Sequence, residues 1–197
     1  RGPDNQNYKK INKCHLYHSR LKIIDIKSRS NQPFTDKNKK YFLIFNGEIY
    51  NFIELRKSLE KKGIFPKTKS DTEILLIYYK IYGSKCVDFF DGMWSFIIFN
   101  IKTQKLFASR DIFGEKPLYV LQTGDGFYFG SEIKFIRELS QKNFTINTKK
   151  INRFLSYGYR SLFKDNECFY KNIFSLGPAE NLFIDGKLKF KKEKYWV

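Results

Sequence analysis

The chain is organised around Phe42-Leu43-Ile44-Phe45-Asn46-Gly47-Glu48-Ile49-Tyr50-Asn51. The first four residues are an unbroken apolar run, short and rich in branched and aromatic side chains, which reads as a strand buried on both faces. The run breaks at Asn46-Gly47, and a helical pattern follows. Taken alone, Asn-Gly is first of all a turn signal. A buried strand that stops there and leads towards a helix also leaves backbone N–H groups free to hold a negatively charged oxygen. The residues on either side must choose between these readings.

The 197 residues suffice for one domain with a real core and a short appendage. Hydrophobic residues make up 42% and aromatic residues 18%, a globular rather than a disordered composition. No apolar run approaches membrane-spanning length and no signal peptide is visible, so no membrane role is expected. Cys14, Cys86 and Cys168 lie far apart, are odd in number and lack metal-ligand spacing, which suggests free thiols in a reducing, cytoplasmic setting. The formal net charge of +17 raises the question of a nucleic-acid partner. However, lysine is spread along the whole chain, arginine is much scarcer and no nucleic-acid motif is present. The charge therefore reads as a bias of amino-acid usage, and no nucleic-acid partner is expected. The chain opens at Arg1 rather than at methionine, and both ends read as cuts within a longer protein.

Cys14 to Ile26 alternates loosely and predicts a strand with a polar middle at His18-Ser19-Arg20. Asn31 to Lys40, with Gln32-Pro33 inside it, predicts a loop, and Tyr41 to Phe45 the central strand. Asn51 with Glu54, and Ser70 with Glu73, have the spacing of capping boxes. They open two helices that Gly63 and Gly83 close. Met93 to Phe99 predicts a second buried strand with Lys105 to Ser109 as its hairpin partner. Thr123-Gly124-Asp125-Gly126 and Asp185-Gly186 mark two further hairpins, while Glu132 to Leu139 and Thr148 to Tyr157 look helical. Strands apolar on both faces need cover on both sides. Two packed sheets with helices outside each would supply it, and the hairpins argue against a doubly wound parallel sheet.

Arg1-Gly2-Pro3-Asp4, His18-Ser19-Arg20-Leu21, Asn46-Gly47-Glu48-Ile49-Tyr50-Asn51 and Ser70-Asp71-Thr72-Glu73 resemble, in order, the class II glutamine amidotransferase domain. Gly92-Met93, Arg110-Asp111, Gly114 with Lys116-Pro117-Leu118-Tyr119, and Ser131-Glu132-Ile133-Lys134 continue the likeness. The full Asn46-to-Asn51 string resembles the version found in glutamine-hydrolysing asparagine synthetases. Phe154 to Tyr159 and Leu176-Gly177-Pro178 resemble the stretch that joins glutaminase to synthetase. The resemblance implies an α+β fold of four layers, αββα, of the N-terminal-nucleophile hydrolase type, here missing its first strand and helix. It implies an amidotransferase domain over residues 1–145 and a connecting segment over 146–197. The implied reaction hydrolyses glutamine to glutamate and ammonia. The ammonia is then used, with ATP, magnesium and aspartate in a further domain, to make asparagine. No cofactor is expected within this chain, and a homodimer is a family expectation.

Glutamine is a zwitterion with an amide at its far end. Its site needs a cation for the carboxylate, an anion for the ammonium group and donors for the amide oxygen. Arg20 has the planar fork for a carboxylate, although a surface ion pair would use it equally. The family places Arg20 in the glutamine site together with the backbone of Leu21, Lys22, Ile23 and Ile24. Asp71 suits the ammonium group, although helix capping by Ser70 and Asp71 would explain both residues. The Asn46 side chain and the Gly47 N–H suit the oxyanion, and glycine lets a substrate approach the backbone. Glu48 joins them by resemblance alone. Arg110, Asp111 and Glu132 read as structural charges.

The family's nucleophile is a cysteine at the mature N-terminus whose own α-amino group is the base. Arg1 cannot take that role. Cys14, beside His15 and His18, suggests a thiol–imidazole pair but reads better as a packing residue inside a strand. The chain is therefore expected to be inactive alone, as a fragment of an asparagine synthetase. Two other readings stay open: an amidotransferase with another acceptor, and a non-catalytic glutamine-binding domain.

Overall fold

The computed structural model of the chain describes residues 2–159 and 166–196. Arg1 of the Arg-Gly-Pro-Asp motif lies outside the described residues. The chain begins with a hairpin, β1 (Asn5–Ile11) and β2 (Cys14–Arg20), followed after a loop by β3 (Phe34–Thr35) and β4 (Tyr41–Ile49). Two helices come next, α1 (Phe52–Lys61) and α2 (Asp71–Tyr82), then β5 (Gly92–Asn100) and β6 (Lys105–Arg110). A second hairpin, β7 (Tyr119–Thr123) and β8 (Gly126–Gly130), leads to α3 (Ile133–Ser140) and α4 (Thr148–Tyr157). The chain closes with β9 (Ile173–Ser175), β10 (Glu180–Ile184) and β11 (Phe190–Lys194).

The strands form a six-stranded sheet in the order β11-β10-β6-β5-β4-β3, a three-stranded sheet β8-β7-β9, and the β1-β2 hairpin. All the pairings are antiparallel, as the hairpin signals imply. One face of the large sheet carries Leu43, Phe45, Ile49, Trp94, Phe96 and Ile98, which pack on Leu55, Leu59 and the α2 residues Ile74, Leu75 and Tyr78. Its other face carries Ile97, Ala108, Leu182 and Ile184, which pack on Leu118, Val120 and Leu176 from the small sheet's side. The hairpin's Ile11 and Leu16 cover Phe42 and Phe99 on that same face. Ile136 of α3 closes the outer side of β7 with Leu121 and Ile173. These are the four layers αββα. Each fully buried aliphatic side chain, such as Leu43 or Ile49, contributes ~1.5–3 kcal/mol, so the double-sided burial of β4 and β5 dominates the core. Residues beyond 145 are woven into both sheets, and Tyr195 stacks on Trp94 and donates to the Arg110 carbonyl at 2.7 Å. The boundary expected at 145 thus falls inside a body whose sheets take strands from both sides of it.

Several expectations are corrected. β4 does not stop at Asn46 but runs on to Ile49, in unbroken register with β5. Asn46-Gly47 is therefore strand, not turn, because Met93 and Trp94 pair with it residue for residue. The strand expected over Cys14 to Ile26 ends at Arg20, and the residues after it form a loop held by that arginine. The expected loop at Asn31 to Lys40 contains β3. Asn51 stands at the start of α1 but does not cap it with its side chain. Its amide instead joins the segment before β5, accepting from Asp91 N at 3.1 Å and donating to Phe89 O at 2.9 Å. Ser70 does cap α2, accepting from Thr72 N at 3.1 Å. Glu73 turns away from Ser70 and takes the Lys67 and Thr68 N–H groups.

Candidate functional site

A cleft of about 260 Å³ opens where the end of β4, the start of α2 and the residues after β2 meet. Among its lining residues are Arg20, Leu21, Ile23, Ile24, Asn46, Gly47, Glu48 and Asp71, so eight expected residues from three distant parts of the chain converge on one place. Lys22 alone of the expected residues does not line it. Its N–H is bonded to Asp4 Oδ2 at 2.8 Å, which ties the Gly-Pro-Asp motif to the Arg20 loop.

The cleft floor is the outer edge of β4. Tyr50 N bonds Asp91 O and Ile101 N bonds Lys40 O, which fixes the alternation: even positions of β4 point their peptide groups at β5, and odd positions point away. The odd positions have other partners. Tyr41 bonds Asp36 and Thr35, Leu43 faces β3, Phe45 bonds Gln32, and Ile49 N bonds Asp71 Oδ2 at 3.2 Å. Gly47 is the odd position with no partner among the described residues. Its N–H points into the cleft, because the trans peptide sets it opposite the Asn46 carbonyl that faces β5. Asn46 is exposed beside it. The reason for glycine differs from the expected one. Its φ is +150°, and a Cβ there would run into the Met93 carbonyl oxygen and Trp94 Cα. The close approach is that of the neighbouring strand rather than that of a ligand.

Asp71 is buried at the first turn of α2 and accepts from Ile49 N, from Thr72 N at 2.8 Å and from Ser70 Oγ at 3.3 Å. Burial nevertheless pushes its carboxyl above the ordinary carboxylate range, and the charge of Glu48 adds to the rise. A buried acid raised in this way, at the wall of a cleft, gains from an incoming cation. Ser70 caps the helix while Asp71 faces the cleft, so the two proposed duties coexist in adjacent residues.

Arg20 is buried, and both Nη groups of its guanidinium are engaged within the protein. It donates to Lys27 O at 3.2 Å, Asn31 Oδ1 at 2.8 Å, Ile24 O at 3.0 Å and Asp25 O at 2.6 Å. It thereby holds the loop whose Leu21 and Ile23 are exposed at the cleft mouth. A ligand carboxylate meets the two Nη groups by displacing one of those acceptors. Asp25 ties the same loop to the lead-in of α2. Burial alone would raise its carboxyl, but the N–H groups of Lys69 and Lys27 and the Arg29 guanidinium hold it down at about 2.

Gly2, Gln32, Met93 and Lys116 are among the lining residues to which the sequence reading gave no place in the site. Gln32 looked like part of a loop, and only its pairing with Phe45 shows otherwise. The charges read as structural behave so: Asp111 accepts from the N–H groups of Trp94, Phe113, Glu115 and Lys116, and Arg110 donates to Lys116 O, Ser175 Oγ and Leu176 O. Cys14, Cys86 and Cys168 do not line the cleft. Burial pushes the Cys14 thiol up to about 11, while His15 bonds Tyr8 and His18 bonds Phe45 O.

A family model described as a glutamine amidotransferase domain matches residues 1–196. The chain belongs to the glutamine amidotransferase domain family. It is 38% identical over 159 residues to an asparagine synthetase [glutamine-hydrolyzing] of Bacillus subtilis, covering 81% of this chain and 25% of that protein. It is 36% identical over 139 residues to one of Oryza sativa subsp. japonica, covering 70% of this chain and 23% of that protein. The chain thus spans about a quarter of the length of these relatives. Among solved structures, the glutamine phosphoribosylpyrophosphate amidotransferase from B. subtilis superposes with a TM-score of 0.66 over 93% of this chain and 35% of that one, at 21% identity. That likeness supports the shared amidotransferase fold. Among the described residues no helix is long and apolar enough to cross a membrane.

Proposed function

We propose that this chain is the glutamine-handling part of an asparagine-synthetase-type amidotransferase, which takes L-glutamine to glutamate and ammonia. The observation that carries the reading is the open Gly47 peptide flanked by the buried Asp71 carboxylate. The Gly47 N–H, with the Asn46 amide beside it, donates to the side-chain oxygen as it becomes an oxyanion. Asp71 takes the ammonium group, and this pairing favours the charged form that burial disfavours. Glu48 lies beside both. Arg20 shapes the loop from Leu21 to Ile24 and meets the carboxylate by exchanging a loop carbonyl for it. Cys14, Cys86 and Cys168 do not line the cleft, so the described residues supply binding and charge stabilisation rather than attack. In the parent enzyme the released ammonia is used with ATP, magnesium and aspartate.

Titration calorimetry with L-glutamine, and with D-glutamine and L-asparagine for comparison, tests the reading. Saturable binding of L-glutamine with weaker binding of the other two is expected, with ammonia release no faster than in buffer. Absence of saturable L-glutamine binding overturns the assignment, and ammonia release by this chain overturns the division of roles.

A further inference from the structure

The open peptide at Gly47 exists because a strand ends early. β3 pairs Phe34 with Leu43, so the same register carried further would set Gln32 opposite Phe45 and Ser30 opposite Gly47. The chain does not continue that way. β3 begins only at Phe34, and the residue before it is Pro33, which has no N–H to give to a ladder. In place of the missing backbone, the side-chain amide of Gln32 pairs with Phe45. Its Oε1 accepts from Phe45 N at 2.6 Å, and its Nε2 donates to Phe45 O at 3.1 Å. The Gln32 side chain is buried, and the two bonds reproduce what one residue of a neighbouring strand would make. The Phe45 carbonyl is also approached by His18 Nε2 at 3.2 Å, while the Nδ1 of that ring is buried without a partner.

We propose that Gln32, assisted by His18, is a positioning residue for the Gly47 donor. It closes the strand edge immediately before Gly47, as Asp71 closes it immediately after through Ile49 N. The peptide between these clamps is thereby held in the strand plane with its N–H aimed at the cleft. A side chain can do this where a strand cannot. A continued β3 would cover Gly47 as well as Phe45, and the donor would be lost to the ladder. Removing the amide leaves the Phe45 N–H buried without its partner and the Phe45 C=O with His18 alone. The edge then relaxes towards whatever acceptor is nearest, and the Gly47 N–H moves with it. This inference rests on the reading of Gly47 as the donor to the glutamine amide oxygen.

The test is amide NMR on the whole chain, with L-glutamine as the probe. In the unaltered chain, glutamine is expected to move the Gly47 amide proton downfield, together with the Asp71 and Thr72 amides. No movement at Gly47 overturns the underlying glutamine reading before any variant is made. Gln32→Leu keeps the bulk and removes both bonds. It is expected to weaken glutamine binding roughly tenfold and to shrink the Gly47 displacement at saturation, with the Asp71 and Thr72 displacements preserved. Gln32→Glu keeps an acceptor opposite the Phe45 N–H and loses only the donor, so it falls between the two. It is also the variant to read if Gln32→Leu does not fold. A purely structural role lowers the melting temperature but leaves the folded protein's affinity and Gly47 displacement intact. That outcome in either variant overturns the proposal.

Discussion

The cleft has two walls of different construction. One is the end of β4 with the first turn of α2. Its N–H groups are committed to β5, Gln32 and Asp71, and among the described residues that of Gly47 is left open. The other is the loop after β2, which exposes Leu21 and Ile23 and hangs on one arginine and one aspartate. The strand wall is rigid because each element of it serves the core on its far side. The loop wall has little core to bury, and polar bonds to carbonyl oxygens hold it instead. The two aspartates carry the same contrast. Asp71 on the strand wall is raised by burial and waits for a cation, whereas Asp25 on the loop wall is satisfied by N–H donors and held at about 2.

The strongest challenge to the rigid wall is Gly47→Ala. A Cβ there runs into the Met93 carbonyl at a φ of +150°, so a loss of about 3 kcal/mol or more is expected in chemical denaturation. A loss below about 1 kcal/mol would show that the β4–β5 pairing gives way easily, and the contrast between the walls would collapse. Next comes Arg20→Lys, which cannot keep the four bonds to the loop. We expect a cost of about 1–2 kcal/mol and loss of hydrogen-exchange protection confined to residues 21–31. Unchanged protection with weakened glutamine binding would make the ligand, not the loop, the main partner of this arginine.

The aspartates separate by the sign of their pH dependence. Asp25 has its folded pKa, about 2, below the unfolded value of 3.8, so its stabilisation is present above pH 3.8 and is lost as pH falls towards 2. Asp71 has its folded pKa raised, so its protonated form favours folding, and its contribution declines as pH rises through that pKa. Asp25→Asn should therefore flatten the acid-side fall in stability, and Asp71→Asn should steepen it. Glutamine affinity should also fall as pH drops through the raised Asp71 pKa, and Asp71→Asn should remove that dependence with roughly tenfold weaker binding at neutral pH. Calorimetry over a pH series reads both. The smallest effect belongs to Ile23→Ser on the loop wall. An exposed side chain there should change stability by no more than about 0.5 kcal/mol.

Much of the molecule was legible in advance, for local reasons. The double-sided apolar runs at Phe42 to Phe45 and Met93 to Phe99 required two covering layers, and the Thr123-to-Gly126 and Asp185-Gly186 signals placed two hairpins correctly. Ser70 announced its helix because its hydroxyl satisfies an N–H two residues on, a contact that needs nothing distant. Asn51, with similar spacing, was misread because its amide is used by Phe89 and Asp91, partners that sequence proximity does not reveal.

By itself, then, the sequence determined which side chains are available for a zwitterion with an amide, and the motif order that marks the amidotransferase family. Only the tertiary structure decided how they are used. A local pattern records side-chain chemistry and periodicity but not what stands opposite a given peptide group. Whether Asn46-Gly47 turns or continues depends on Met93 and Trp94 on the neighbouring strand. Whether Arg20 is open or occupied depends on the path of its own loop, and whether Gly47 is covered depends on where β3 begins. Those are facts about distant backbone, and they convert an Asn-Gly that reads as a turn into one exposed donor in the edge of a buried strand.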